Sequence, residues 1–171
     1  RFFEVGTPWL SWLYSQSAQV VWLLLMASAI YQVSSQWSRF VESSHGIFAP
    51  SNRLWLGLCW LLLKVVHELS HGLVCKKYGG SVRELGFMLF MLFPVAYVDV
   101  TSCWRFRSKW QRIHTAAAGI YMELFVAAIA AIIWSQTDPG VLNNVCFKLV
   151  IMGSLTTIVF NLNPLMKYDG Y

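Results

Sequence analysis

Residues 53–77 read RLWLGLCWLLLKVVHELSHGLVCKK, and this stretch decides the fold. The apolar part, from Arg53 to Cys75, is about 23 residues, roughly 34 Å of helix at 1.5 Å per residue, and crosses a bilayer core of about 30 Å. Pro50-Ser51-Asn52 precedes it as a helix start signal, and Lys76-Lys77 followed by Gly79-Gly80 stops it. Lys64, His67, Glu68 and His71 lie inside this span. Ionisable groups at such depth are expensive unless they are paired, metal-bound or facing water.

The pattern extends in both directions. No charged residue occurs between Glu4 and Arg39, and the most apolar part of that gap, 18–33, reads as an earlier spanning helix. Trp9, Trp12, Tyr14, Tyr31 and Trp37 flank it like interfacial belts. Residues 34–52 are polar. Residues 85–98 (LGFMLFMLFPVAYV) are apolar, short for a crossing and broken by Pro94. They lie between the basic groups Lys76/Lys77/Arg83 and Arg105/Arg107/Lys109/Arg112. A re-entrant segment or hairpin keeps both groups on one side, as the positive-inside rule favours. Unpaired strands cannot face lipid, so any strand around 93–101 must pair or be covered. Further spans are expected over 113–134, ending before Asp138-Pro139-Gly140, and 141–162, ending at Asn163-Pro164.

The expected fold is an all-α membrane protein with about four transmembrane helices and a re-entrant or β-hairpin segment between the second and third. It is expected to be one membrane-embedded domain over 1–171, with 18–33 as an accessory helix, 53–171 as the core, and a longer parent chain. The 76–112 segment holds seven of the thirteen Lys and Arg residues, so it is expected to be cytoplasmic with both termini inside.

Composition agrees. Of 171 residues, 57% are hydrophobic and only 12% charged, with mean hydropathy +0.52; soluble domains carry about 25% charge. A disordered chain and a collagen-like chain are excluded. The four cysteines form no CxxC pair, which argues against a disulfide framework or zinc knuckle. The net charge of +5 is not interleaved with aromatics, so no nucleic-acid partner is expected.

His67-Glu68-Leu69-Ser70-His71 is an HExxH motif on a helix. Positions i and i+4 share a face, so two imidazoles can grip one ion. Glu68 sits beside that ion without binding it and can exchange a proton with a water. Two hydrogen-bonded core histidines, or a haem or di-iron site, are the competing readings, and clustered ionisable groups within a span favour metal. A catalytic zinc needs a third protein ligand. Position 77, where soluble relatives of this motif place a histidine, is Lys77. Candidates are His114, Glu123, Asp169, Asp99 and Cys75; Asp169 is preferred for its depth, without the choice being closed. Lys64 and Glu123 lie deep enough to form an inward ion pair.

HExxH within a spanning helix, together with Asn161, Pro164, Asp169 and Gly170 in the spacing NxxPxxxxDG, resembles the site-2 protease family of intramembrane zinc metalloproteases. The chain is similar in particular to a bacterial subgroup of peptide zinc metalloproteases. The resemblance implies Zn2+ held by His67, His71 and Asp169, Glu68 as the catalytic base, and Asn161 near the bound peptide. Ala118-Gly119-Ile120-Tyr121-Met122-Glu123 resembles the family's AGPxxN segment, with Ile120 for the Pro and Glu123 for the Asn, which makes Glu123 a second candidate for substrate binding. The implied activity is hydrolysis of a peptide bond within or next to the bilayer. Implied partners are a membrane protein or peptide substrate, the lipid bilayer, and a membrane-fusion secretion protein. The implied location is the bacterial cytoplasmic (inner) membrane, multi-pass, with the active site near the cytoplasmic side. The alternative is a catalytically silent membrane component of a peptide export system that keeps a zinc site.

Overall fold

The computed structural model describes residues 11–90, 93–157 and 159. After a 3-10 turn at Ser11–Tyr14, α1 (Gln16–Ser35) begins at Ser15, whose hydroxyl accepts from the Ala18 amide at 3.2 Å. A short helix, α2 (Trp37–Ser44), follows in the stretch expected to be a polar connection. The long helix α3 (Arg53–Lys77) follows a 3-10 turn at Pro50–Asn52. Strands β1 (Leu85–Phe90) and β2 (Phe93–Val98) form an antiparallel hairpin, in register from Leu85↔Val98 to Phe90↔Phe93. A 3-10 turn at Thr101–Arg105 leads into α4 (Lys109–Gln136), and α5 (Val141–Thr156) closes the described chain.

The helix α4 is central and packs against α1, α3 and α5, while α3 also contacts α5 and β2. Its packed face carries small residues: Ala118, Gly119, Ala127, Ala128, Ala130 and Ala131 are all buried. Small residues let helices approach closely, the main source of helix association where lipid is the solvent. The Cβ that alanine would add at Gly153 of α5 would come within 3.1 Å of the Ala127 Cβ, so α4 and α5 touch almost backbone to backbone there.

At the far end of α4, Trp134 is fully buried, with Phe40 edge-on at 5.6 Å and the Arg39 guanidinium 4.9 Å from its ring centre. Arg39 also donates to the carbonyls of Thr137 (2.6 Å) and Ser135 (3.4 Å), and Asn143 donates to the Trp134 carbonyl at 2.8 Å. A cation and an amide thus satisfy carbonyls that the helix end leaves unpaired. This gives α2 its purpose: it carries Arg39 and Phe40 onto that end.

The outside is apolar. Leu23, Leu24 and Ile30 of α1 and Leu54, Leu58 and Leu62 of α3 are exposed, the latter three in one stripe at i, i+4 and i+8. Water would penalise such a surface and lipid does not. The helices α1, α3 with its preceding turn, and α4 are long and apolar enough to cross a membrane.

The 18–33, 53–75 and 113–134 helices are present, each longer than expected at one or both ends. Of the two forms expected between the second and third helices, a re-entrant segment or a β-hairpin, the hairpin is formed, and its inward backbone groups pair with one another. Pro94 fits there because a two-stranded sheet has only edge strands. The fourth expected span, 141–162, is represented by the shorter α5; residues 158 and 160–162 of that range lie outside the described residues.

The hairpin returns the chain to where it started, which yields a topological prediction. In membrane vesicles, cysteines introduced at Arg83 and at Arg107 react with an impermeant thiol reagent from one side, and one at Glu42 from the other. The native cysteines Cys59, Cys75, Cys103 and Cys146 are buried, so background labelling is low. Labelling of positions 83 and 107 from opposite sides would contradict the hairpin reading.

Candidate metal centre

Two stripes face each other across the α3–α4 seam. Lys64, His67 and His71 lie on one side of α3, at i, i+3 and i+7; Thr115, Gly119 and Glu123 lie on one side of α4, at i, i+4 and i+8. The helices run antiparallel here, so His71 meets Thr115, His67 meets Gly119 and Lys64 meets Glu123.

The imidazoles of His67 and His71 are buried, with their Nε2 atoms 3.0 Å apart. His71 Nδ1 is 2.7 Å from the Thr115 carbonyl oxygen, and a carbonyl only accepts, so this nitrogen carries the proton. His67 Nδ1 is 3.3 Å from Glu123 Oε1, and a carboxylate likewise requires a proton on the ring nitrogen. In the neutral imidazoles both Nε2 lone pairs then point toward the same small volume. At 3.0 Å the two nitrogens are within hydrogen-bond distance, so either one Nε2–H donates to the other or both lone pairs bind one cation, and the donor set fits a metal ion. Imidazole nitrogen with the second ring N–H anchored to a carbonyl or carboxylate is a usual zinc-binding arrangement. Glu68 lies on α3 one residue beyond His67 and is half-buried.

Glu123 is fully buried. Its Oε1 accepts from Lys64 Nζ at 2.9 Å, and its Oε2 accepts from the Thr157 hydroxyl at 2.8 Å. The inward Lys64–Glu123 pair anticipated from depth alone is therefore formed. An isolated charge of either sign would carry a desolvation penalty of several kcal/mol, and removing one partner would leave the other uncompensated.

Three of the other candidates for a third ligand, His114, Cys75 and Asp99, have partners elsewhere. His114 Nδ1 is 2.7 Å from the Tyr78 hydroxyl, and Cys75 Sγ is 3.3 Å from Ser102 Oγ. Asp99 accepts from both the amide and the hydroxyl of Thr101, which hold its carboxyl below the usual carboxylate range. Among the described residues no group of three His, Cys, Asp or Glu side chains converges as a metal site. Asp169 and Asn161 lie outside the described residues.

Three contributors were not singled out from sequence. Thr115 acts through its backbone carbonyl, which carries no residue-type signal. Thr157 is one of two adjacent threonines at that helix end. Gly119 had a signal, a glycine in the middle of an apolar helix. Its reason is now visible: a Cβ there would collide with the Cε1, Nε2 and Cδ2 atoms of His67.

Residues 56–166 match the family model described as Peptidase family M50. A Synechocystis protein provisionally named a zinc metalloprotease is 29% identical over 154 residues, covering 87% of this chain and 38% of that protein. A Bacillus subtilis protein, YydH, provisionally named a peptide zinc metalloprotease protein, is 27% identical over 108 residues, covering 63% of this chain and 41% of that protein. The chain thus spans about two fifths of the length of these curated relatives. No solved structure matches at comparable significance.

The contact at Gly119 gives a direct test. Gly119→Ala forces the His67 ring from its place, and zinc affinity measured by chelator competition falls by about 10–100-fold, as for loss of a group that orients a ligand. Helix content by circular dichroism stays near wild type. Unchanged zinc affinity would show that the ring position is not needed.

Proposed function

Because the chain belongs to peptidase family M50, we propose that it is the membrane-embedded core of a zinc metalloendopeptidase that hydrolyses a peptide bond within or next to the bilayer. The observation that carries this reading is the convergence of the His67 and His71 Nε2 atoms at 3.0 Å, with each Nδ1 turned to an oxygen acceptor. The family model and the names of the relatives support peptidase chemistry with zinc.

In this proposal His67, His71 and Asp169 hold Zn2+, which when bound polarises the scissile carbonyl and acidifies a water toward a pKa of about 7. Glu68 would accept a proton from the attacking water and return it to the amine nitrogen of the leaving peptide, so one residue would serve as base and then acid. The Thr115 carbonyl keeps His71 in the tautomer that leaves Nε2 available. Asn161 contributes to the peptide-binding side. The alanine-rich seam and the apolar exterior exclude bulk water from the remaining flanks.

The proposed location is the bacterial cytoplasmic membrane, with the site approached from the cytoplasmic side. His67 and His71 lie roughly 6–12 Å inside the end of the apolar stretch at Cys75. A cavity of about 80 Å³ lined by Val74, Tyr78, His114 and Ala118 lies at that end of the α3–α4 seam and has room for water. The proposed substrate is a membrane protein or peptide presented in extended form, and a membrane-fusion secretion protein is the proposed partner.

Two variants of the full-length protein separate chemistry from metal binding. Glu68→Gln keeps one equivalent of zinc and loses at least about 100-fold in cleavage rate, the lower range for a general base. Asp169→Ala loses zinc and activity together. Wild-type cleavage by Glu68→Gln would sink the base assignment. Zinc bound at one equivalent by a wild-type protein that cleaves no peptide would favour the silent export component.

A further inference from the structure

We propose that Glu123 is a positioning residue for His67, with Lys64 as its built-in countercharge and Thr157 as its anchor. This rests on the reading of His67 and His71 as zinc ligands. It departs from the AGPxxN resemblance, which would place the residue at this position against the substrate.

Burial supplies the first argument. Glu123 is 0% exposed, whereas a group that touches a peptide must open onto the peptide's path. Occupancy supplies the second, because Oε1 faces both Lys64 Nζ and His67 Nδ1 and Oε2 accepts from the Thr157 hydroxyl, which engages three of about four acceptor sites. Placement supplies the third. Gly119 and Glu123 are one helical turn apart on α4; Gly119 lies under the Cε1–Nε2–Cδ2 side of the His67 ring and Glu123 faces its Nδ1. One helix therefore fixes the ring in place from below and in rotation from its far nitrogen. His71 is oriented by a backbone carbonyl, which has no net charge. The two ligands are thus unequal: His67 is backed by a carboxylate, a stronger acceptor that raises the electron density its Nε2 offers to a cation.

An anion so deep in an apolar bundle needs compensation, and Lys64, one turn before His67 on the same face of α3, provides it. The alternative is that Lys64 and Glu123 merely fasten α3 to α4. The two roles make different predictions when both charges are removed together.

The experiment uses the full-length protein in detergent or nanodiscs. It compares wild type, Glu123→Gln, and the double variant Lys64→Met/Glu123→Leu. Zinc affinity is read by chelator competition, thermal midpoint by circular dichroism, and ligand geometry by the visible spectrum of the Co2+-substituted protein. Outer-sphere partners of this kind are worth 10–100-fold in metal affinity. Glu123→Gln, which keeps a hydrogen-bonding oxygen without the charge, is expected to weaken zinc by about 10-fold and to shift the Co2+ bands. The double variant is expected to recover the wild-type thermal midpoint while its zinc affinity stays 10–100-fold down. Wild-type zinc affinity and Co2+ spectrum in either variant would overturn the positioning role. Should the double variant not fold, Glu123→Gln decides alone. A wild-type protein that binds no zinc would instead overturn the reading of His67 and His71.

Discussion

The structure depends on one constraint: charged and protonatable groups inside an apolar bundle must be matched partner by partner. Along the α3–α4 seam this matching is done in three antiparallel steps, Lys64 with Glu123, His67 with Gly119, and His71 with Thr115. Each step differs in kind. The first is an ion pair, the second a steric fit and the third a hydrogen bond to the backbone. A shift of α3 along α4 by one turn would break all three at once and leave a cation and a carboxylate unpaired in a medium that cannot solvate them. The seam therefore fixes the helix register as well as holding the candidate metal centre.

The rest of the fold serves that seam. Alanines on α4 bring the helices close enough for the absence of a Cβ at Gly119 and Gly153 to matter. Thr157, just past the end of α5, reaches the second oxygen of Glu123, which ties a third helix to the same network. At the opposite end of α4, Arg39 and Asn143 close the helix carbonyls and let α2 and α5 converge there. The hairpin register, from Leu85↔Val98 to Phe90↔Phe93, brings the two ends of the 85–98 segment side by side.

Much of this was legible in the sequence, for definable reasons. The run of apolar residues from Arg53 marked a span, and HExxH at i and i+4 marked a shared face. Lys64 and Glu123 were identifiable as a pair because few partners exist at that depth, and solvation cost leaves little choice. The two strands were foreseen only as one possibility, since a short apolar run around Pro94 has no decisive period. The short helix α2 was missed although Trp37, Phe40 and Val41 stand at i, i+3 and i+4; eight residues between polar neighbours give too little pattern to separate from a loop. The Thr115 carbonyl could not be foreseen, because backbone acceptors look alike in sequence and only the packing of two helices selects one.

The central claim is that the His67 and His71 Nε2 atoms share a zinc ion. X-ray absorption at the zinc edge of the purified full-length protein tests it most directly. The account predicts two imidazole ligands, recognisable by their outer-shell ring scattering, with oxygen completing the shell at about 2.0 Å. A sulfur-dominated shell, or zinc without imidazole scattering, would contradict it.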